Sequence, residues 1–336
     1  MIHVTAPGRG GIIGNPSDLY GGTVVACTIA ERAEASVSHS SLLTFDVYGH
    51  FQVLHDESDL AYVPDLHYLD VAKAVWRYLR KSGLARAGRI DPEATFHVRA
   101  GSNIPLCAGC AGSTAILMAI LAGVLEHFEI RLERHALAEL ARLIERTELG
   151  VHCGYQDQYM IACGGLNCVD LRGKADHDPD GPYASVEPLN CEVPELPFVL
   201  ANTGLQRHSG EYHAAPRQAW EEGDPRRREG FARVGELGRL GKRALLEQDW
   251  ERLGALMNEN CAIVRDLIGL GEPNEALIEA ALGAGALGAK LSGAGRGGTI
   301  IALHPDPEWM GEKLLAAGAE RLIRLVPSPG LEIEVL

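Results

Sequence analysis

Positive charge is the scarce component of this chain. It carries 31 Lys and Arg against 45 Asp and Glu, a formal net charge of -14 over 336 residues. A molecule of that sign is repelled by phosphate backbones and anionic lipid surfaces, which argues against nucleic acid or membrane as a general partner. An anionic small molecule stays open, because a few cations in one pocket outweigh the global sign locally. No apolar run approaches the ~20 residues of a membrane span. The opening Met1-Ile-His-Val-Thr5 lacks the basic and apolar regions of a secretory leader. Eight cysteines in a chain this long do not read as a disulfide framework. Cys107 and Cys110 have C-x-x-C spacing, yet no second Cys/His pair at ligand spacing accompanies them. Two nucleotide motifs are missing as well: no Gly-Lys-Ser/Thr closes a Walker A loop, and no dinucleotide fingerprint follows a first strand. The expectation is a cytoplasmic protein, monomer or homodimer.

Glycine, by contrast, is plentiful and clustered. The run Pro105-Leu-Cys-Ala-Gly-Cys-Ala-Gly-Ser-Thr-Ala115 follows a strand-like segment at 94–98 and a polar turn at 101–103. It feeds an apolar helix pattern over 113–128. Small residues entering a helix N-terminus make an anion site. The first N–H groups have no intrahelical partner, and the helix dipole favours negative charge. Gly109 and Gly112 let the backbone approach a polyphosphate, and the Ser113 and Thr114 hydroxyls reach a phosphate oxygen or a magnesium ion. The same composition also serves plain packing, so this loop alone decides nothing.

Elsewhere, strands and helices mix without regular βαβ alternation, which predicts an α+β fold. Strands are expected at 2–6, 23–29, 33–38, 42–47, 198–202, 299–303, 322–326 and 331–335. Helices are expected at 65–80, 132–149, 226–248, 250–268, 274–284 and 309–318. The Asp-, Pro- and Gly-rich stretch 170–197 reads as an irregular crossing between two domains.

Three glycine clusters occur in order along the chain. Ala6-Pro-Gly-Arg-Gly-Gly-Ile-Ile-Gly-Asn-Pro-Ser-Asp18, followed by Tyr20-Gly-Gly22, comes first. The loop near residue 110 is second, and Lys290-Leu-Ser-Gly-Ala-Gly-Arg-Gly-Gly298 is third. The set resembles the motifs of the GHMP kinases, the family of galactokinase, homoserine kinase, mevalonate kinase and phosphomevalonate kinase. Those motifs read roughly A-P-G-R-x-x-x-x-G-E-H-x-D-Y, P-x-x-x-G-L-x-x-S-S-A and K-x-x-G-A-G-x-G-G. The resemblance covers nearly the whole chain. It implies an N-terminal domain at 1–190 of ribosomal-protein type, with a left-handed βαβ crossover. A ferredoxin-like C-terminal domain would follow at 191–336, with the active site between the two. It also implies ATP and Mg2+ as cofactors and a small-molecule acceptor. The ATP site would use Pro105, Ala108, Gly109, Cys110, Ala111, Gly112, Ser113 and Thr114 from the second motif. Gly293, Ala294 and Gly295 would come from the third.

Phosphoryl transfer needs phosphate clamps, a metal and often a base for the attacking hydroxyl. Glu145 and Asp157 stand twelve residues apart, like a helix-borne Glu and a loop-borne Asp in galactokinases. The resemblance implies that Glu145 holds magnesium with Ser113, Glu148 being a second carboxylate nearby. It implies that Asp157 orients or deprotonates the acceptor hydroxyl. Arg9 occupies the motif arginine, beside Asp157 and the transferred phosphate. Lys290 is expected to be structural.

The first motif departs from galactokinase. Asn15-Pro16 replaces Glu-His, and with Ser17-Asp18 it is similar to the glucuronokinases, sugar-acid 1-kinases of the same family. So are the loop 109–116, the stretch 148–157 and the pattern Ser209-Gly210, His213, Arg217, Trp220, Gly223-Asp224. This implies acceptor contacts at Asn15, Ser17, Asp18, Tyr20 and Gln156. A sugar carboxylate would be read by Arg207, His213 and Arg217, since arginine binds carboxylates through paired hydrogen bonds. A solvated, amphipathic helix start explains the same residues equally well. The function expected is ATP-dependent phosphorylation of the anomeric hydroxyl of a glucuronate-like sugar acid. Alternatives are a kinase for a neutral sugar or other small alcohol, a non-catalytic sugar or nucleotide sensor, and a decarboxylase of the mevalonate-diphosphate type. Retention of Asp157, Glu145 and Ser113 favours an enzyme.

Overall fold

The computed structural model describes all residues except 63–66, 106–107, 175–180, 192, 194–195, 206–209 and 294–297, with the side chains of 67 and 210–214 also set aside. Strand β1 (Ile2–Ile13) pairs antiparallel with β2 (Thr23–His39), with register shifts at Pro7/Arg9 and Gly11/Ile13. The first glycine cluster therefore lies largely inside a strand rather than in a loop. Glycine inside a strand marks a bulge or a close backbone approach, and both occur here. The strands expected at 23–29 and 33–38 are one element. Its second half alternates, with Ala33, Ala35 and Val37 buried and Glu34 exposed. Its first half is buried without a break.

The hairpin β3 (Leu43–Val47) and β4 (His50–Leu54) leads through α1 (His67–Leu79) and a short α2 (Gly83–Arg86) to β5 (Phe96–Ser102). Next come α3 (Gly112–His127), α4 (Arg134–Thr147), α5 (Gln156–Cys163), β6 (Leu166–Asp170) and β7 (Ser185–Pro188). The second half holds β8 (Phe198–Asn202), α6 (Gly210–Glu221), α7 (Pro225–Leu246), α8 (Trp250–Ile268) and α9 (Glu272–Gly283). It closes with β9 (Gly288–Leu291), β10 (Thr299–Leu303), α10 (Pro307–Ala316), β11 (Arg321–Ile323) and β12 (Glu332–Val335). Helices α7 and α10 start where an Asp side chain caps the first turn and Pro takes the first helical position.

Two sheets result. The larger has eight strands in the order β12-β1-β2-β5-β3-β4, with β6 beside β2 and β7 beyond it. The smaller, β11-β8-β10-β9, is antiparallel throughout. The chain passes from one sheet to the other between β7 and β8, yet β12 returns to pair with β1. The last strand thus belongs with the first half. Helix α3 is apolar nearly all round and buried along most of its length, as a central core helix should be. It packs on β1, β2 and β5. The main core runs from α3 through the large sheet and takes in Leu237, Leu253, Met257 and Ile301 from the second half. A smaller core lies between the four-stranded sheet and α8–α10. Among the described residues no helix is long and apolar enough to cross a membrane.

Candidate active site

Arg9 ties the three glycine clusters together. It is buried within β1. Its Nε and Nη2 donate to Asp157 Oδ1 at 2.8 and 2.5 Å. Its Nη1 donates to Gly109 O at 2.5 Å and reaches Ser292 O at 3.5 Å. Its backbone N–H donates to Cys110 O at 3.1 Å. One residue of the first motif thus touches the second motif, the third motif and the start of α5. Burial opposes charge on Arg9, but the Asp157 carboxylate more than offsets it, so the guanidinium is held more firmly protonated than usual. Asp157 itself keeps 28 % of its side chain exposed, which leaves an oxygen edge for a substrate hydroxyl.

The central loop turns sharply before α3. Gly109 and Ala111 both have left-handed backbone, at φ 71° and 63°, and Ala111 is unusual there because it carries a Cβ. Helix α3 then starts without a side-chain cap among the described residues. Its first N–H groups suit a phosphate, and Ser113 beside them is exposed. The third cluster presses on this loop from the other half of the molecule. A Cβ on Gly293 would sit 2.6 Å from Gly109 O, so only glycine fits. Thr299 Oγ1 donates to Ala108 O at 2.8 Å from the same side. Cys110 is buried, and burial pushes its thiol pKa up. Its spacing partner Cys107 lies outside the described residues, as do Ala294 and Gly295.

Glu145 is buried on α4 behind this loop. Thr114 Oγ1 donates to its Oε1 at 2.7 Å, and Gln158 Nε2 donates to Oε2. Burial pushes its carboxyl up to about 7, against the two hydrogen bonds. Thr114, which bonds Glu145 directly, is the neighbour of Ser113, the residue expected to share its ion. Glu148 points elsewhere: its Oε2 accepts from Arg77 Nε at 2.6 Å. No group of three or more His, Cys, Asp or Glu is placed to hold a metal among the described residues. One carboxylate with hydroxyls beside a phosphate loop is nevertheless the oxygen set that Mg2+ accepts, since that ion keeps water and phosphate ligands of its own.

The residues expected to bind the acceptor divide. Asp18 is buried, and its Oδ2 accepts from the backbone N–H groups of Tyr155 and Gln156 at 3.0 and 3.1 Å. Burial raises its pKa, and those bonds oppose the rise. Tyr20 stacks on Phe231 with ring centroids 3.8 Å apart. The Tyr20 hydroxyl and Gln156 Oε1 are buried without a hydrogen-bond partner among the described residues. Orphaned polar atoms of that kind call for a ligand or water. Ser17, by contrast, is fully buried and donates to Thr23 O at 3.4 Å. Asn15 is turned into the junction between the two halves. Arg217 donates to Leu19 O and, through Nε, to Glu221 Oε1 at 2.7 Å. It borders the acceptor turn but is already ion-paired. Arg207 and the His213 side chain lie outside the described residues.

The description "GHMP kinases N terminal domain" matches residues 70–165, and "GHMP kinases C terminal" matches 242–314. The chain belongs to the GHMP kinase family. Glucuronokinase 1 of Arabidopsis thaliana is 29% identical over 319 residues, covering 89% of this chain and 83% of that protein. Mevalonate kinase of Pyrococcus furiosus is 27% identical over 99% of this chain and 98% of its own length. The structure of Lactococcus lactis galactokinase complexed with galactose superposes with a TM-score of 0.75 at 19% identity, over 99% of this chain and 92% of that one. The two-domain GHMP kinase fold is therefore shown, and the second and third glycine clusters fall within the matched residues.

Two residues of this GHMP kinase were missed in the sequence. Asn258 and Asn260 stand in the middle of α8, where an amide reads as an ordinary helix-surface residue. Asn260 Oδ1 accepts from Gly14 N at 2.9 Å, and its Nδ2 donates to Asn15 O at 3.2 Å. Asn258 Nδ2 donates to Leu287 O, and its Oδ1 accepts from Ala289 N, each at 3.0 Å. The only cue was the Met-Asn-Glu-Asn pattern at 257–260 within an otherwise amphipathic helix.

Proposed function

We propose that the protein is an ATP- and magnesium-dependent kinase that phosphorylates the anomeric hydroxyl of a glucuronate-like sugar acid. The observation that carries the kinase reading is the Arg9–Asp157 pair, fastened to the phosphate loop through Gly109 O. Asp157 would align the attacking hydroxyl and take its proton. Arg9 fixes that carboxylate relative to the donor phosphates, and its charge stabilises the phosphoryl group as the bond to ADP breaks. Glu145, with Thr114 and Ser113 alongside, would hold magnesium, which supplies positive charge to the phosphates when bound. The loop N–H groups at the start of α3 would bind the phosphates.

The sugar-acid part rests on the Asn15-Pro16-Ser17-Asp18 turn and on likeness to a glucuronokinase over 89% of the chain. A coupled ADP-release assay with glucuronate, glucose, galactose and mevalonate tests it. Glucuronate should lead glucose by at least about a hundredfold in kcat/KM, because a binding site built for a carboxylate is left unpaired without one. Equal use of the two sugars sinks the acid reading and leaves the kinase standing. A neutral-sugar kinase is the second reading, favoured by the ion pair that Arg217 already makes with Glu221.

A further inference from the structure

We propose that Asn260 and Lys290, both from the second half of the chain, are positioning residues that lock the acceptor turn and through it set the helix carrying Asp157. The turn Gly14–Asp18 leaves β1 and hangs between the two halves. Asn260 grips its backbone at both ends of one residue step, accepting from Gly14 N and donating to Asn15 O. Lys290, on β9, donates from Nζ to Asn15 Oδ1 at 2.5 Å and to Leu291 O. Asn15 Nδ2 returns a bond to Leu291 O at 3.3 Å. Asn258 bonds to both sides of Gly288, so α8 and β9 carry the two locking residues as one unit.

The far side of the turn meets the catalytic helix. Asp18 Oδ2 receives the N–H groups of Tyr155 and Gln156. Asp157 is the next residue. The fit is tight: a methyl on Gly154 would overlap the Asp18 carboxylate. The N-cap residue of α5, Tyr155, contributes no side-chain cap, so the Asp18 carboxylate does that work across chain segments. Helix α5 has eight residues, too few to hold its own start rigidly. Hydrogen bonds thus tie α8 and β9 to the Gly14–Asn15 end of the turn and tie Asp18, at its other end, to the first turn of α5, with the short covalent stretch Asn15–Asp18 between them.

The choice of side chains is informative. Asn260 is 0 % and Lys290 1 % exposed, and the Lys290 amine meets no carboxylate among the described residues. Burying an amine that way is costly, and an apolar residue of similar volume would hold the fold at least as well. A polar pair at this junction makes sense if it selects one geometry of the turn. The inference leans on the kinase reading only in taking that turn as the acceptor's binding place.

The test uses Lys290→Met and Asn260→Leu in the full chain, with steady-state kinetics, thermal unfolding and amide hydrogen exchange. For a positioning role, acceptor KM rises about tenfold or more while ATP KM stays within about twofold. Exchange at the Tyr155 and Gln156 amides speeds up in both variants. Lys290→Met keeps or raises the melting temperature, which separates geometry from stability. A loss of kcat in step with lost folded protein, with both KM values and the two amides unchanged, overturns the proposal. If the wild type phosphorylates no sugar at all, the sugar-kinase reading fails, and the amide exchange still decides whether the lock exists.

Discussion

At the scale of single residues, the proposed transfer sets Asp157 on the acceptor and Glu145 on the donor. Asp157 acts on the acceptor, so Asp157→Asn should lower turnover by about two or more orders of magnitude while nucleotide affinity stays nearly unchanged. Turnover close to wild type, with nucleotide binding measured by calorimetry, would remove Asp157 from the reaction. Glu145 and Ser113 act on the donor side. Glu145→Gln and Ser113→Ala should each raise the magnesium concentration needed for half activity, and the double variant should show less than the combined effect. Magnesium titrations identical to wild type in both singles would place the ion elsewhere. That Arg9 lies beside Asp157 could be anticipated from the sequence, because the family resemblance assigns both to motif positions. Asn15 and Ser17 could not be placed that way. They share a motif with Asp18, but a tight turn sends neighbouring side chains in different directions. Ser17 goes under Thr23 and Asn15 into the junction. The direction of Asn15 depends on segments 245 and 275 residues away in the chain.

At the scale of elements, periodicity served the helices well and the glycine-rich strands badly. The patterns at 113–128, 226–248 and 250–268 return as α3, α7 and α8 within a residue or two. Strand β1 was expected to stop at Ala6, because Pro and Gly normally end strands. It continues to Ile13, since the stretch stays paired with β2 through two register shifts while Arg9 N and Gly11 N donate to Cys110 O and Ser292 O. Strand β9 was missed for a related reason. Gly288-Ala-Lys-Leu291 has no hydrophobic alternation, and its lysine is buried. The polar stretch 170–197 hid β7, a mostly exposed strand that among the described residues pairs only with β6. The close contact between the second and third motifs gives an element-level prediction. Gly293→Ala places a methyl against Gly109 O, a backbone atom with little room to move. The two loops must separate, so nucleotide affinity should fall by about tenfold with the acceptor KM little affected. Nucleotide titration of the variant checks this, and unchanged affinity would mean that the third motif can shift without disturbing the phosphate loop.

At the scale of the whole molecule, the buried amine at the junction meets the protein's net charge of -14. Burial, reinforced by the nearby Arg9 charge and opposed by Cys261, pushes the Lys290 amine down to about 7. In the unfolded chain it sits near ~10.4. Below pH 7 both states hold the proton, and the folded state bears the full cost of a buried charge. Between about 7 and 10.4 the folded protein has released a proton that the unfolded chain keeps, so this group makes stability rise with pH across that window. The summed negative charge pulls the other way, because self-repulsion grows as cations are lost. The two contributions separate in the difference between wild type and Lys290→Met, which shares every other titrating group. Chemical denaturation at pH 6.5 and 9 should show the variant ahead by up to several kcal/mol at the lower value, with the gap narrowing at the higher. A gap that is the same at both values would mean that the amine keeps its ordinary pKa. The junction would then be open enough to water to solvate it, and Lys290 could not be the buried anchor of the acceptor turn.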